Sequence, residues 1–187
     1  MVMIRGYMGA SLDGYIAAPG GDIDWLRKYD GVDFGGHAYD RFIREIGTLV
    51  MGRATYDAIV AMGEGWIYAG KRVIVVTSRP LADPAGPLEI WGEGLEALIR
   101  SLRKREDGDV WIVGGGLLQQ AFIAADAFDR LELFVMPEIV GGGHQTFPSN
   151  GFRRSVRLAA ATTFPSGAVC LDYRFDPLTP DAGGGRA

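Results

Sequence analysis

The feature that most constrains this chain is a junction it repeats: a short apolar run rich in β-formers ends in glycine or a hydroxyl residue and passes directly into helical spacing. Thr48-Leu49-Val50-Met51 meets Gly52 and then Arg53 to Met62. Arg72-Val73-Ile74-Val75-Val76 is a nearly continuous β-branched run, the pattern of a strand covered on both faces, and it ends at Thr77-Ser78-Arg79-Pro80. Val110-Trp111-Ile112-Val113 runs into Gly114-Gly115-Gly116 and a helix through Leu117, Leu118 and Phe122. Strands that alternate with helices in this way predict an α/β fold with a mostly parallel sheet.

The remaining segments extend that pattern. Val2 to Ala10 reads as a first strand closed by the turn residues Ser11-Leu12-Asp13-Gly14, and a short helical turn carrying Trp25 and Leu26 follows Asp22 or Asp24. His37 to Ile46 presents Phe42, Ile43 and Ile46 on one helical face, with Gly47 as its stop. Leu88 to Trp91 is a short strand, and Leu95, Leu98, Ile99 and Leu102 form a helical stripe. Leu131 to Met136 is a further strand. Ser155 to Thr163 and Ala168 to Phe175, separated by Phe164-Pro165-Ser166-Gly167, predict an antiparallel hairpin at one edge, so the sheet is expected to be mixed. The chain of 187 residues is expected to form one domain over 1–176, with 177–187 as a tail that has little to bury.

Composition narrows the partners. A net charge of −4 and the absence of any long Lys/Arg run give no basic field for nucleic acid. The start of the chain lacks the basic-then-apolar order of a signal peptide, and no apolar stretch approaches the ~18 residues of a membrane span. A cytoplasmic location is expected. The single cysteine, Cys170, sits in an alternating apolar segment and reads as a buried thiol. No metal is implied, because His37, His144 and Cys170 lie far apart in sequence and no paired ligand spacing occurs. Ser11 has neither a nucleophile elbow nor an accompanying base, which sets hydrolase chemistry aside.

In parallel α/β sheets, ligands sit at the carboxyl ends of strands, where helix N-termini offer unpaired N–H groups and a positive partial charge. Three such junctions suit a polyphosphate. Gly52 permits close approach, the Arg53 guanidinium matches phosphate oxygens, Thr55 adds a hydroxyl, and the triple glycine can wrap a pyrophosphate. No Gly-x-Gly-x-x-Gly follows the first strand and no acidic residue ends the second, which disfavours an ordinary Rossmann NAD site. Thr77, Ser78 and Arg79 instead suit a ribose 2′-phosphate, and so NADPH, although the same residues also make a plain turn before Pro80.

A resemblance enters here. Ala10-Ser11-Leu12-Asp13-Gly14-Tyr15-Ile16-Ala17, Val50-Met51-Gly52-Arg53-x-Thr55-Tyr56, Val113-Gly114-Gly115-Gly116 and Pro137-x-x-x-Gly141-Gly142-Gly143-x-x-x-Phe147-Pro148 occur in order over about residues 2–176. Together they resemble the dihydrofolate-reductase-like superfamily, with Ser-Leu-Asp-Gly and Pro-x-x-x-Gly-Gly-Gly closer to the reductase domain of bacterial riboflavin biosynthesis. The resemblance implies a three-layer fold, an eight-stranded mixed sheet with a C-terminal hairpin, and an NADPH-dependent reductase acting as a homodimer on a small heterocycle of pterin, pyrimidine or flavin-precursor type. It implies that Ala10 and Ile16 flank the nicotinamide, and that Gly52, Arg53 and Thr55 hold phosphates. Thr77, Ser78 and Arg79 would take the 2′-phosphate end, and Gly115, Gly116, Leu117 and Leu118 would wrap the pyrophosphate and ribose, with a cis peptide expected at Gly114-Gly115.

Folate reductases carry an Asp or Glu in the helix before the Val-Met-Gly-Arg strand, whereas here that stretch reads Gly36-His37-Ala38-Tyr39, with Asp40 about a turn later. A different heterocycle is therefore expected. The candidates for proton donor or electrostatic partner are Asp13, Asp24 and His37. Each has a plainer reading: Asp13 as a turn residue, Asp24 as a helix cap, His37 as a helix start. Trp25 and His37 are candidates for holding the planar substrate, Trp25 being equally suited to the core, and His144 is expected to face solvent. A non-catalytic NADPH-binding or sensing module is the alternative reading.

Overall fold

A computed structural model of the chain describes residues 2–177. The β-branched and apolar runs form a sheet of eight strands in the order β5-β4-β3-β6-β1-β7-β10-β9. These are β1 (Ile4–Ser11), β3 (Ile46–Gly52), β4 (Arg72–Val76), β5 (Glu89–Trp91), β6 (Asp109–Gly114), β7 (Arg130–Met136), β9 (Arg157–Thr163) and β10 (Val169–Arg174). Pairings from β5 across to β7 are parallel, and β10 pairs antiparallel with both β7 and β9. The mixed α/β sheet with its C-terminal hairpin thus has the predicted form, and the β7–β10–β9 edge is where the direction changes.

Among the described residues five α-helices cover the sheet: α1 (Asp24–Arg27), α2 (Tyr39–Glu45), α3 (Arg53–Ala61), α4 (Leu95–Leu102) and α5 (Gly116–Ala124). Alternation along each strand sends side chains to opposite faces. On one face Ile4, Met8, Val50, Ile74, Val110 and Ile112 meet Leu98 and Leu102 of α4 and Phe122 and Ile123 of α5. On the other, Leu49, Met51, Val73, Val75 and Trp111 meet Phe42 of α2 and Tyr56 and Ile59 of α3, while Trp25 and Leu26 of α1 pack on Phe134 and Met136. Three layers result, because each helix has one apolar stripe to bury.

Two local readings differ from expectation. Gly47 does not stop α2; the helix ends at Glu45 and Ile46 already belongs to β3. Ile46 is buried in the sheet, and a Cβ on Gly47 would fall 2.3 Å from the Asp107 carbonyl oxygen, so the glycine serves a close backbone approach rather than a helix end. A small second sheet was not legible: β2 (Tyr15–Ala17) pairs antiparallel with β8 (His144–Gln145). Of the tail over 177–187, everything from residue 178 onward lies outside the described residues.

Candidate active site

The tips of β4, β3, β6 and β1 lie side by side at one end of the sheet, since those strands are neighbours and parallel. Gly52 pairs in register with Val76, and Met51 with Gly114, so the junctions read from the sequence share one rim. Arg53 ties two of them together. Its Nη1 donates to the Pro80 carbonyl at 3.2 Å while its Nε meets both Asp57 carboxylate oxygens at 2.8 and 2.9 Å. Thr55 ties the other pair, its hydroxyl oxygen lying 3.3 Å from where a Cβ on Gly114 would stand and 3.6 Å from one on Gly115. The Gly114–Gly115 peptide is cis, as the resemblance implied.

From this rim a groove of about 600 Å³ extends between α3, the β2 strand and β8. Ile16, Thr55, Gly115, Gly116 and Leu117, all expected to contact cofactor, line it. The two helices that begin here, α3 and α5, have Gly52 and Gly115 as N-caps, and neither has a side-chain cap. No side-chain oxygen therefore caps their first turns; the Leu118 N–H is taken by the Gly115 carbonyl at 2.9 Å, and the N–H groups ahead of it are the kind of donor a diphosphate takes. A phosphorylated dinucleotide fits these residues. Other expected contacts stand behind the surface: Ala10 is buried and Leu118 packs into the main core, so both support the rim rather than line the groove. Ser78 and Arg79 are exposed at the β4 tip, and the Thr77 hydroxyl accepts from the Arg79 N–H at 3.1 Å, shaping that turn.

The match to known proteins is decided by the extent of one domain. The model for the RibD C-terminal domain matches residues 3–170. The chain belongs to that family. A Bacillus subtilis relative, the uncharacterised protein YwjB, is 30% identical over 167 residues, covering 89% of this chain and 94% of its own. Among solved structures, a Shewanella sp. PV-4 protein provisionally assigned to riboflavin biosynthesis superposes with a TM-score of 0.82 at 25% identity, covering 94% of this chain and 99% of its own. Dihydrofolate reductase from Enterococcus faecalis, complexed with NADP(H) and RAB-propyl, shares the fold at TM-score 0.63 and 19% identity, with 92% of this chain and 95% of its own covered. The expected superfamily is thereby established, on the riboflavin-reductase side.

Within this RibD C-terminal domain the candidate acids are dispersed. Asp13 is a clamp: it accepts from the Ser11 hydroxyl at 2.6 Å and from the Val140 and Gly141 N–H groups at 3.0 and 2.7 Å. The Ser11 hydroxyl first, and then those N–H groups, hold its carboxyl down to about 2, so it is a carboxylate at neutral pH. Asp24 is exposed on α1 beside Arg27. His37 lies elsewhere, its Nδ1 2.9 Å from Glu132 and its Nε2 3.4 Å from the Thr162 hydroxyl, in a separate pocket of about 150 Å³. Trp25 packs beside Phe134 with its indole nitrogen buried and unpartnered.

Cys170 is buried as expected, and burial pushes its thiol up to about 12. It is not isolated, however: ligand atoms of His37, Glu132 and Cys170 lie within 4.8 Å of one another. Sequence separation hid this, because the hairpin carries Cys170 back over His37. Arg5 and Arg130 approach the same Glu132 at 3.0 and 3.3 Å, making it the centre of an ion-pair network that joins β1 and β7.

Sequence reasoning missed Ala54, Ala58 and Met62, which line the groove along with Ile23 of the loop before α1 and Gln145 of β8. Spacing by four along α3 was the available signal. His144 is exposed, as expected, and also lines the groove.

Proposed function

We propose that the protein is an NADPH-dependent reductase that transfers a hydride to a small planar heterocycle of pterin, pyrimidine or flavin-precursor type. The observation that carries this reading is the meeting of Gly52, Thr55 and the Gly114-to-Gly116 run at one rim, beside a groove that Thr55, Gly115 and Gly116 line and at the start of two helices without side-chain caps. NADPH, when bound, supplies the hydride. The N–H groups that open α3 and α5 bind its diphosphate, and Ser78 and Arg79 take the 2′-phosphate at the β4 tip. Ile16 and Leu117 flank the nicotinamide and exclude water from it. Asp13 acts at a distance by anchoring Val140 and Gly141, which fixes the loop that leads into β8 and so one wall of the groove.

Catalysis on this reading is chiefly a matter of holding donor and acceptor in register. Asp13 stays ionised and Asp24 and His37 stand outside the lining, so the proton that accompanies the hydride comes from water at the open groove or from His144, which lines it. That same dispersal of candidate acids favours a second reading, a non-catalytic NADPH-binding or sensing module. Steady oxidation of NADPH, followed at 340 nm with a panel of pterins, pyrimidinones and quinones, supports the enzyme; tight NADPH binding with no turnover across the panel supports the module.

A homodimer in the cytoplasm completes the proposal. Strand β9 supports the dimer: it is one of the sheet's two outer strands, exposed along almost its whole length, and from Leu158 to Thr163 it carries no charge to discourage edge pairing.

A further inference from the structure

We infer that the ring reduced in this groove is uncharged and carries no phosphate; the inference rests on the reductase reading and narrows its acceptor. The wall beyond the glycine tips is the α3 face of Ala54, Ala58 and Met62, opposed by Ile23. From Ala54 to Met62 that wall runs roughly 12 Å at the helical rise, the length of a fused planar ring system. The alanines leave room for a flat ring, and the wall offers it dispersion and nothing ionic. Among the described residues lining the groove, none is Lys, Arg, Asp or Glu.

Arg27 and Arg53, which follow Ile23 and precede Ala54 in the chain, are already engaged. Arg27, at the end of the helix that follows Ile23, has its Nη2 3.4 Å from Glu64 and its Nε 3.8 Å from Asp24. Glu64 lies just past Met62, so the outer rim holds one guanidinium between two carboxylates and is net negative. Arg53 faces the other way, gripping Asp57 and the Pro80 carbonyl at the β4 tip. A phosphate on the acceptor would lose water, would find no lysine or arginine in the lining and only the His144 imidazole on the β8 side, and would face the carboxylates of the rim. A Thermotoga maritima enzyme that shares the fold at TM-score 0.65 and 15% identity acts as a 5-amino-6-(5-phosphoribosylamino)uracil reductase, whose substrate by that name is phosphorylated; this chain spans 57% of it. The present groove is built for something else.

In the reaction the ring gains a hydride at one position from C4 of the dihydronicotinamide and a proton, from water or His144, at another. NADPH is oxidised to NADP⁺ by two electrons and the ring is reduced by two.

The test uses acceptors matched except for one phosphate: riboflavin against FMN, and dihydroneopterin against its monophosphate, with NADPH under anaerobic conditions. For at least one pair, kcat/KM for the unphosphorylated ring is expected to exceed that for its phosphate by tenfold or more. Glu64→Lys, an exposed change that reverses the rim charge, is expected to shrink that gap at least threefold. Equal or faster turnover of the phosphorylated members overturns the inference and leaves the reductase reading standing. NADPH binding with neither binding nor turnover of any of the four rings also overturns it, in favour of the module. Failure to bind NADPH at all removes the reductase reading and the inference with it.

Discussion

Asp13 illustrates how one residue's chemistry follows from its hydrogen bonds. Three donors converge on its carboxylate, so folding lowers its pKa from 3.8 to about 2. The ionised form therefore favours the folded turn above about pH 4, and that contribution is lost as the pH falls toward 2. Wild-type stability in an acid titration should fall more steeply across this window than that of Asp13→Asn, and the variant should bind NADPH several-fold more weakly at pH 7 through the loosened loop; parallel acid profiles would remove the clamp. Arg79 makes a separate claim. Arg79→Ala should weaken NADPH roughly tenfold or more, the scale of a lost charge-assisted hydrogen bond, while NADH changes little, and an equal loss for both nucleotides in fluorescence titrations would detach Arg79 from the 2′-phosphate. An Asp before Gly is legible in sequence as a turn, but its partners Val140 and Gly141 are more than a hundred residues away, and no local pattern announces them. The same distance explains why His37 read as a site residue: its neighbours Glu132, Thr162 and Cys170 belong to the far edge of the sheet.

At the scale of elements, the groove depends on how closely α5 docks against the strap after β8. A Cβ on Gly116 would stand 2.8 Å from the Thr146 carbonyl oxygen and 3.0 Å from that of Gln145, both backbone atoms that cannot swing away. Gly116→Ala should accordingly cost about 1–3 kcal/mol, as overpacking does, and should also widen the groove and weaken NADPH. Denaturant titration showing an unchanged midpoint would contradict this contact. The strap itself was invisible beforehand. Long β-branched runs such as Arg72–Val76 declare a strand from composition alone, whereas His144–Gln145 is two residues amid glycines and is a strand only because Tyr15–Ala17 lies opposite. The groove wall on α3 was legible in principle, since Ala54, Ala58 and Met62 recur every four residues, but alanines carry little signal until a facing element is known.

Across the whole molecule, the end of the sheet proposed to bind and the edge proposed to pair are distinct. The tips of β3, β4 and β6 form the proposed cradle, and β9 forms an exposed outer edge. Light scattering after size exclusion should report near twice the 20.2 kDa chain mass, and Ala160→Pro at the middle of β9 should shift the protein to monomer; a wild-type monomer would remove the dimer. The order of layers and the hairpin were legible because alternation, turn residues and strand composition act locally. The location of the groove was legible only as strand tips, and its acceptor end depended on contacts between α1, α3 and β8 that sequence spacing does not encode. The central claim is that these neighbouring tips form one cradle for a phosphorylated dinucleotide, and a crystal structure with NADPH bound tests it most directly. The account predicts the diphosphate between the first turns of α3 and α5, the 2′-phosphate at Ser78 and Arg79, and the nicotinamide beside Ile16. A dinucleotide seated anywhere else, or none at saturating concentration, would contradict it.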